Sequence, residues 1–258
     1  MKKVFRLREW IKFRVFRPLL LGIGGWMGKY SIVGDHPVFD KQIFPWTKLL
    51  EDNWLSIRRE LEGIMPHHRL FPSLQDVQQE QKVLNQDDQW KTFFLYGFGV
   101  RASLNCERCP VTASLLEQIP GMKTAFFSVL SPHKHIPAHK GIYKGLIRSH
   151  LGLIIPGKPG DCVMRIEQEN IYWQEGKAVV FDDTYEHEVW NHSGEVRVVL
   201  LLDVVRSFRP GFLSFLNRKI VGLIGNSSYV KEAMENHRKW EESFYQPAGR
   251  PGTHETTA

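Results

Sequence analysis

The run VRVVLLLDVV occupies residues 196–205, and all of its side chains except Arg197 and Asp203 are apolar. A short apolar run rich in β-branched residues predicts a strand buried within a sheet. An arginine inside such a strand is removed from water, so it needs an anionic partner. Arg197 is therefore a candidate anion-binding residue.

Similar runs precede this one and predict a mainly β fold. They cover residues 123–130, 146–155, 161–168 and 178–182, with turn-forming sequences such as PGKPG at 156–160 between them. Apolar residues at helical spacing predict one helix from Trp46 to Gly63 and another from Tyr229 to Phe244, with Ser228 as its N-cap.

Two histidines are candidate metal ligands. His139 lies in HIPAHKG, residues 135–141, and His187 lies in FDDTYEHEVW, residues 181–190. Neutral imidazoles on separate strands can hold iron and leave positions open for a co-substrate and O2. The usual arrangement adds a carboxylate two residues after the first histidine, but Gly141 occupies that position. By composition alone, a histidine is more often a core or surface residue than a ligand.

The wider set of motifs resembles the aspartyl/asparaginyl beta-hydroxylase family of iron(II)- and 2-oxoglutarate-dependent dioxygenases. In that family two histidines hold the iron, and glycine stands where related enzymes have the carboxylate. The resemblance covers residues 90–210, with weaker likeness at Phe44-Pro-Trp46. It rests on Pro120-Gly121, residues 125–128, 137–139, 148–153, 173–176 and 181–190, Arg197 and Asp203.

The resemblance implies a double-stranded β-helix, a jelly-roll or cupin-like barrel, with flanking N- and C-terminal helices. It also implies Fe(II), 2-oxoglutarate as co-substrate, and O2. The implied roles are iron ligands and catalytic residues for His139 and His187, co-substrate binding for Ser128, Arg197, His150 and Arg148, and substrate binding for Trp90 and Arg148. The guanidinium of Arg197 suits a carboxylate because it donates two parallel charge-assisted hydrogen bonds. Phe126 departs from the family pattern, because animal members have lysine there.

The 258 residues fit one main domain with two flanking segments. We predict a basic amphipathic N-terminal segment over residues 1–40, the dioxygenase domain over 41–210, and a C-terminal helical extension with a flexible tail over 211–258.

Basic residues are concentrated at the N-terminus. Seven of the first 17 residues are Lys or Arg, interleaved with apolar side chains, and the formal net charge is +6. The apolar stretch from Leu19 to Met27 is shorter than the roughly 20 residues that span a bilayer. A basic amphipathic helix can instead lie at an anionic membrane surface; packing against the barrel is the alternative. The sequence predicts a cytoplasmic protein with peripheral contact to the inner membrane, no export, and no nucleic-acid partner.

Three cysteines do not indicate a disulfide framework. Cys106 and Cys109 have zinc or redox spacing but lack a second ligand pair. We interpret the thiols as reduced and Cys162 as a small core residue.

Three functions remain open. The preferred hypothesis is β-carbon hydroxylation of an aspartyl or asparaginyl residue in a peptide or protein substrate. The alternative is a lipid A-type acyl-chain hydroxylase at the membrane surface, since such enzymes belong to the same broader family. A non-catalytic binding barrel is the third, although such a protein would be expected to lose His139, His187 or Arg197.

Overall fold

The computed structural model describes residues 17–74 and 87–245, and the strands in these ranges all pair antiparallel. The basic residues 1–16 and the tail 246–258 lie outside the described residues. The strands are β1 (Val38–Phe39), β2 (Trp90–Gly97), β3 (Val100–Arg101), β4 (Met122–Leu130), β5 (His135–His139), β6 (Leu146–Ile154), β7 (Cys162–Ile166), β8 (Glu169–Tyr172), β9 (Ala178–Phe181), β10 (His187–Asn191) and β11 (Arg197–Val205).

Two sheets contain these strands. The larger has the order β1-β9-β6-β11-β4-β2-β3, and the smaller has the order β5-β10-β7-β8. Strands that are distant in sequence pair within each sheet, as in a jelly roll. The mainly β, jelly-roll prediction is therefore confirmed. Among the described residues no strand pair joins the two sheets, so the barrel is not closed by hydrogen bonds.

The apolar run at residues 196–205 forms β11, which pairs with β4 on one side and β6 on the other. Its even-numbered residues Val198, Leu200 and Leu202 pack into the main hydrophobic core. Its odd-numbered residues point to the opposite face, where Val199 packs into a second cluster with strands of the smaller sheet. Arg197 lies on that same face, between the sheets.

The helices are α1 (Arg17–Gly28), α2 (Pro45–Asp52), α3 (Trp54–Ile64), α4 (Ser103–Arg108), α5 (Pro110–Glu117), α6 (Gly211–Gly225) and α7 (Ser228–Tyr245). Helices α2, α3 and α5 cover the outer face of the larger sheet through Leu50, Ile57, Leu61 and Leu116. The predicted single helix from Trp46 to Gly63 is two helices, because the chain breaks at Asn53.

The prediction for the start of α7 is also corrected. Ser228 is the first helical residue, and the hydroxyl of Ser227 accepts the hydrogen bond from the amide of Val230 at 3.3 Å. The cap is thus Ser227, one residue earlier than predicted. In the described ranges, none of the helices combines the length and apolar character needed to cross a membrane.

Candidate active site

His139 and His187 face each other across one strand pair of the smaller sheet. His139 ends β5, His187 begins β10, and the two residues are register partners. Their ring centroids are 4.0 Å apart. The two histidines predicted as metal ligands are therefore brought together on adjacent strands.

Backbone contacts fix the orientation of both rings. Nδ1 of His139 lies 2.8 Å from the carbonyl of Pro137, and Nδ1 of His187 lies 3.0 Å from the carbonyl of Tyr185. A carbonyl can only accept, so each Nδ1 is the protonated nitrogen and each Nε2 keeps its lone pair for a metal. Burial lowers the pKa of His139, and burial followed by the neighbouring His139 lowers the pKa of His187 to about 3. Both rings are neutral at physiological pH.

A carboxylate lies beside Gly141 although the sequence has no acid there. A Cβ placed on Gly141 would lie 2.4 Å from Oδ1 of Asp183, and the amide of Gly141 donates to the carbonyl of Asp183 at 2.7 Å. The absence of a side chain at position 141 gives Asp183 its space. Asp183 was not among the predicted site residues; the signal for it was an acid four residues before His187 combined with the missing acid at position 141.

Arg148 is held by two carboxylates. Its Nε and Nη2 donate to Asp203 at 2.8 and 3.0 Å, and its Nη1 lies 3.1 Å from Asp183. These contacts engage three of the five N–H groups of the guanidinium and compensate its charge. The predicted binding roles of Arg148 remain predictions, and in this arrangement the residue positions Asp183.

Arg197, in contrast, is buried without a carboxylate partner among the described residues. It is 2% exposed, and its Nε and Nη1 make no hydrogen bond. The guanidinium carbon lies 4.6 Å from the centroid of the Trp173 ring. Burial lowers the pKa of Arg197 to about 10, so the group remains charged at neutral pH. A buried cation with free donors fits an anionic ligand.

Ser128 and Trp90 lie on the same side of the larger sheet as Arg197. Ser128 pairs with Val199, two residues from Arg197 on β11, so the two side chains share a face. The indole nitrogen of Trp90 donates to the hydroxyl of Ser128 at 3.0 Å. The Ser128 hydroxyl therefore accepts from Trp90 and has its own proton available for a ligand.

His150 completes this face. It is 6% exposed, and neither ring nitrogen has a hydrogen-bond partner. Its ring stacks on Trp173 at 5.8 Å and meets Phe181 edge-on at 4.9 Å. Burial, followed by the charge of Arg197, lowers the pKa of His150 well below its usual value. His150 is thus a neutral donor and acceptor between Arg197 and the histidine pair.

A buried ion pair between Arg206 and Asp182 anchors the loop before His187. Nη1 of Arg206 donates to Asp182 at 2.6 Å, and Nη2 donates to the carbonyl of Gly34 at 2.6 Å. The other oxygen of Asp182 accepts from both the amide and the hydroxyl of Thr184. These contacts fix the backbone carbonyl that orients His187.

The side chains fit the iron and 2-oxoglutarate that the resemblance implies. Within residues 17–74 and 87–245, no group of three or more His, Cys, Asp or Glu side chains is placed to hold a metal. The protein half of a metal site is therefore the two imidazole Nε2 atoms. The partnerless donors of Arg197 and the free hydroxyl proton of Ser128 suit a carboxylate.

Cys106 and Cys109 lie in the main core, away from this arrangement, whereas Cys162 lies in the buried cluster that contains Trp90 and Trp173. Cys106, Cys109 and Cys162 are free and buried. Burial raises the pKa of Cys106 to about 11 and also raises the pKa of Cys109, so both are protonated and unreactive near neutral pH.

A jelly roll with two facing imidazoles and a buried arginine is the arrangement that the resemblance implies for a 2-oxoglutarate-dependent dioxygenase. The chain belongs to the aspartyl/asparaginyl beta-hydroxylase family: residues 51–207 match the family described as Aspartyl/Asparaginyl beta-hydroxylase. Its relatives are hydroxylases, and the family's enzymes are 2-oxoglutarate-dependent dioxygenases.

Two relatives differ in what their names say they act on. The ornithine lipid ester-linked acyl 2-hydroxylase of Rhizobium tropici is 42% identical over 220 residues, which cover 85% of this chain and 78% of that protein. The aspartyl/asparaginyl beta-hydroxylase of Homo sapiens is 36% identical over 163 residues, covering 61% of this chain and 20% of that protein.

Solved structures with some likeness include cupin domains. The Cupin_2 domain of an XRE family transcriptional regulator from Enterobacter cloacae has a TM-score of 0.31 and 16% identity, covering 45% of this chain and 96% of that chain. The cupin domain of Schizosaccharomyces pombe Cnp3 has a TM-score of 0.30 and 10% identity, and the match covers 45% of this chain and 64% of that chain.

Proposed function

We propose that this hydroxylase acts on the ester-linked acyl chain of a polar membrane lipid, with Fe(II) and 2-oxoglutarate. The observation that carries this proposal is the extent of the likeness to the Rhizobium tropici lipid hydroxylase. The matched 220 residues exceed the 157 residues of the family domain, 51–207, so the likeness reaches into the segments that flank it. The likeness to the human enzyme covers 163 residues.

The arrangement of Arg148 also favours a lipid over an aspartyl substrate. Three of its five N–H groups are directed to Asp203 and Asp183, so the charge of the arginine that a substrate carboxylate would use is already compensated by two carboxylates. An acyl chain carries no charge and makes no such demand.

The proposed metal ligands lie on the smaller sheet, and the proposed co-substrate-binding residues lie on the larger one. His139 and His187 would hold the iron through their Nε2 atoms, while Arg197 and Ser128 would bind the far carboxylate of 2-oxoglutarate. When bound, the iron and 2-oxoglutarate would reduce O2, with one oxygen atom entering the C–H bond as hydroxyl and the other entering succinate, which leaves together with CO2. The protein determines which carbon reacts by holding the substrate against the histidine pair.

The test is hydroxylation by protein loaded with Fe(II) without oxygen, then given 2-oxoglutarate and O2. One arm contains an amino-acid-containing lipid with an ester-linked acyl chain, and the other contains a pool of Asp- and Asn-containing peptides. We expect succinate together with one added oxygen atom on the ester-linked acyl chain. Modification of the peptides alone would replace the lipid proposal with the peptide hypothesis.

Two histidine variants control for the assignment of the site. His187→Ala removes a predicted ligand and should abolish lipid-dependent succinate formation. His192→Ala removes an exposed histidine five residues along the chain and should leave it unchanged. Equal turnover in both variants would contradict the site assignment.

A further inference from the structure

We infer that helices α1 and α6 together form a docking surface for an anionic lipid bilayer. The two helices are packed against each other: Ile23 of α1 and Ile220 of α6 both pack on a cluster formed by Met27, Phe208 and Leu213. A second cluster joins Leu20 of α1 to Val221 of α6. Their inner faces are thus used in holding the pair to the protein.

Their outer faces carry large apolar side chains exposed to solvent. On α6 these side chains follow helical spacing on one face, at Phe212, Phe215, Leu216 and Leu223. On α1, Leu19 and Trp26 lie two turns apart and are 52% and 49% exposed. Of the sixteen large hydrophobic side chains exposed in the described residues, nine lie in residues 17–32 and 212–223. Scattered exposure is ordinary, but this concentration marks an interaction surface.

The charge carried by these two helices and by the residues next to them in the chain is of one sign, and the Asp35 carboxylate beside Gly28 is paired with Lys144. Residues 17–34 and 204–231 contain no Asp or Glu, whereas Lys29, Arg209, Arg218 and Lys219 are exposed. The Nζ of Lys219 lies 5.3 Å from the centroid of the Phe215 ring, which places a cation at the edge of the apolar surface. Such a combination fits a bilayer with anionic headgroups. A second copy of the chain would bring two basic surfaces together and is disfavoured by repulsion.

The docking surface borders a cavity of about 310 Å³, which is lined by Leu21 and Gly25 of α1 and by Lys140, Lys144, Glu167, Thr184 and Tyr185. Lys140 directly follows His139, and Tyr185 precedes His187 by two residues. A lipid drawn from a bilayer against α1 would therefore enter near the segments that carry the two histidines. This last step rests on the proposed function, whereas bilayer binding itself does not.

The experiment is co-sedimentation of the full chain with vesicles, without iron or 2-oxoglutarate. Vesicles of phosphatidylcholine alone are compared with vesicles containing an equal part of phosphatidylglycerol. We expect binding to the anionic vesicles that weakens as salt is raised. Phe215→Ser combined with Leu223→Ser should lower the vesicle partition coefficient by at least about tenfold, because each removes a side chain that the bilayer would bury.

The matched control is Leu55→Ser combined with Leu70→Ser, which changes two equally exposed leucines on other parts of the surface and should leave binding intact. Lys219→Glu tests the charge, and it should weaken binding to anionic vesicles only. Failure of the unaltered protein to bind anionic vesicles, or equal loss in the control, would overturn the inference. So would a dimer in sedimentation velocity that the Phe215 and Leu223 changes dissociate.

Turnover separates this inference from the proposed function. If both hold, the Phe215→Ser, Leu223→Ser protein hydroxylates lipid dispersed in detergent but loses activity on lipid in vesicles. Vesicle binding without lipid hydroxylation would leave the docking surface standing and contradict the function. Hydroxylation in detergent by a protein that binds no vesicles would support the proposed function and contradict the docking surface.

Discussion

Gly141 has no side chain, and this leaves space for the carboxylate of Asp183. A Cβ at this position would lie 2.4 Å from the Asp183 carboxylate, so Gly141→Ala must displace Asp183 from Arg148. Overpacking of this kind costs about 1–3 kcal/mol, and we expect a loss of that size in the free energy of unfolding measured with urea. Gly194→Ala is the control, since a Cβ there meets nothing within 4 Å. If the two variants are equally stable, the close fit of Asp183 against Gly141 is wrong.

Arg197 and Arg206 are a natural pair for testing a buried charge. They are 2% and 1% exposed, but only Arg206 has a carboxylate partner, Asp182. Without 2-oxoglutarate, Arg197→Met should raise the free energy of unfolding by about 1 kcal/mol or more, because a buried unpaired cation is removed. Arg206→Met should lower it by about 1.5–3 kcal/mol, because the buried Asp182 loses this charge-assisted hydrogen bond and keeps only Lys144, at 3.1 Å, as a cationic partner.

Both unfolding free energies come from denaturant titration, and 2-oxoglutarate binding is measured separately by calorimetry on the Mn(II)-loaded protein. Arg197→Met should no longer bind the co-substrate. A variant that is less stable and still binds 2-oxoglutarate would refute the role of Arg197.

Single site residues could be predicted from the sequence where the residue type itself indicates the chemistry. The arginine could be recognised because a charged residue is unusual in an apolar strand, whereas the two histidines were assigned through the resemblance to the family. Asp183 could not be found in this way. Its position beside Gly141 depends on a contact between two loops, and the sequence points to that contact only through the acid before His187 and the missing acid at position 141.

Among the elements, α7 contains a histidine that makes its docking sensitive to pH. His237 is 1% exposed, its Nε2 lies 3.2 Å from the Asn105 side-chain amide, and burial lowers its pKa to about 4. Between pH 6.5 and pH 4 the unfolded chain binds a proton that the folded protein excludes. The contribution of His237 to stability is therefore complete above pH 6.5 and is lost as the pH falls, by roughly 3 kcal/mol at most.

His237→Gln keeps an acceptor for Asn105 but cannot titrate. Unfolding free energies at pH 7 and pH 4.5 should differ less in this variant than in the unaltered protein. Because the change in unfolding free energy between the two pH values is compared between two proteins, the contributions of the other buried histidines, which both proteins share, cancel. An identical pH dependence in both proteins would show that His237 does not control it.

Elements with strong apolar periodicity were predicted, whereas the eight-residue strand β2 and several shorter strands were missed. The five apolar runs are strands β4, β6, β7, β9 and β11, because burial in a sheet demands apolar side chains. The shorter strands β5 and β10 were not predicted as strands; they carry the histidines and contain polar residues that the site requires. The helix break at Asn53 and the cap at Ser227 depend on local backbone geometry that apolar spacing does not report.

For the molecule as a whole, the important feature is that the candidate site lies between two sheets with no strand pair between them in the described residues. His139 and His187 belong to the smaller sheet, and Ser128, His150 and Arg197 belong to the larger one. A metal and co-substrate held by both sets would tie the sheets together. Ligand binding should thus stabilise the folded protein as a unit and not only order the site.

Thermal unfolding in the presence of Mn(II) and 2-oxoglutarate measures this effect. A ligand that binds only the folded state adds about 2.7 kcal/mol at a concentration 100 times its Kd. For a domain of this size we therefore expect a rise in Tm of about 5–10 °C. Arg197→Met should show only the smaller rise due to the metal, because the contact of the co-substrate with the larger sheet is gone. An equal rise in both proteins would mean that the ligand is held by the smaller sheet alone, and that Arg197 serves another anion.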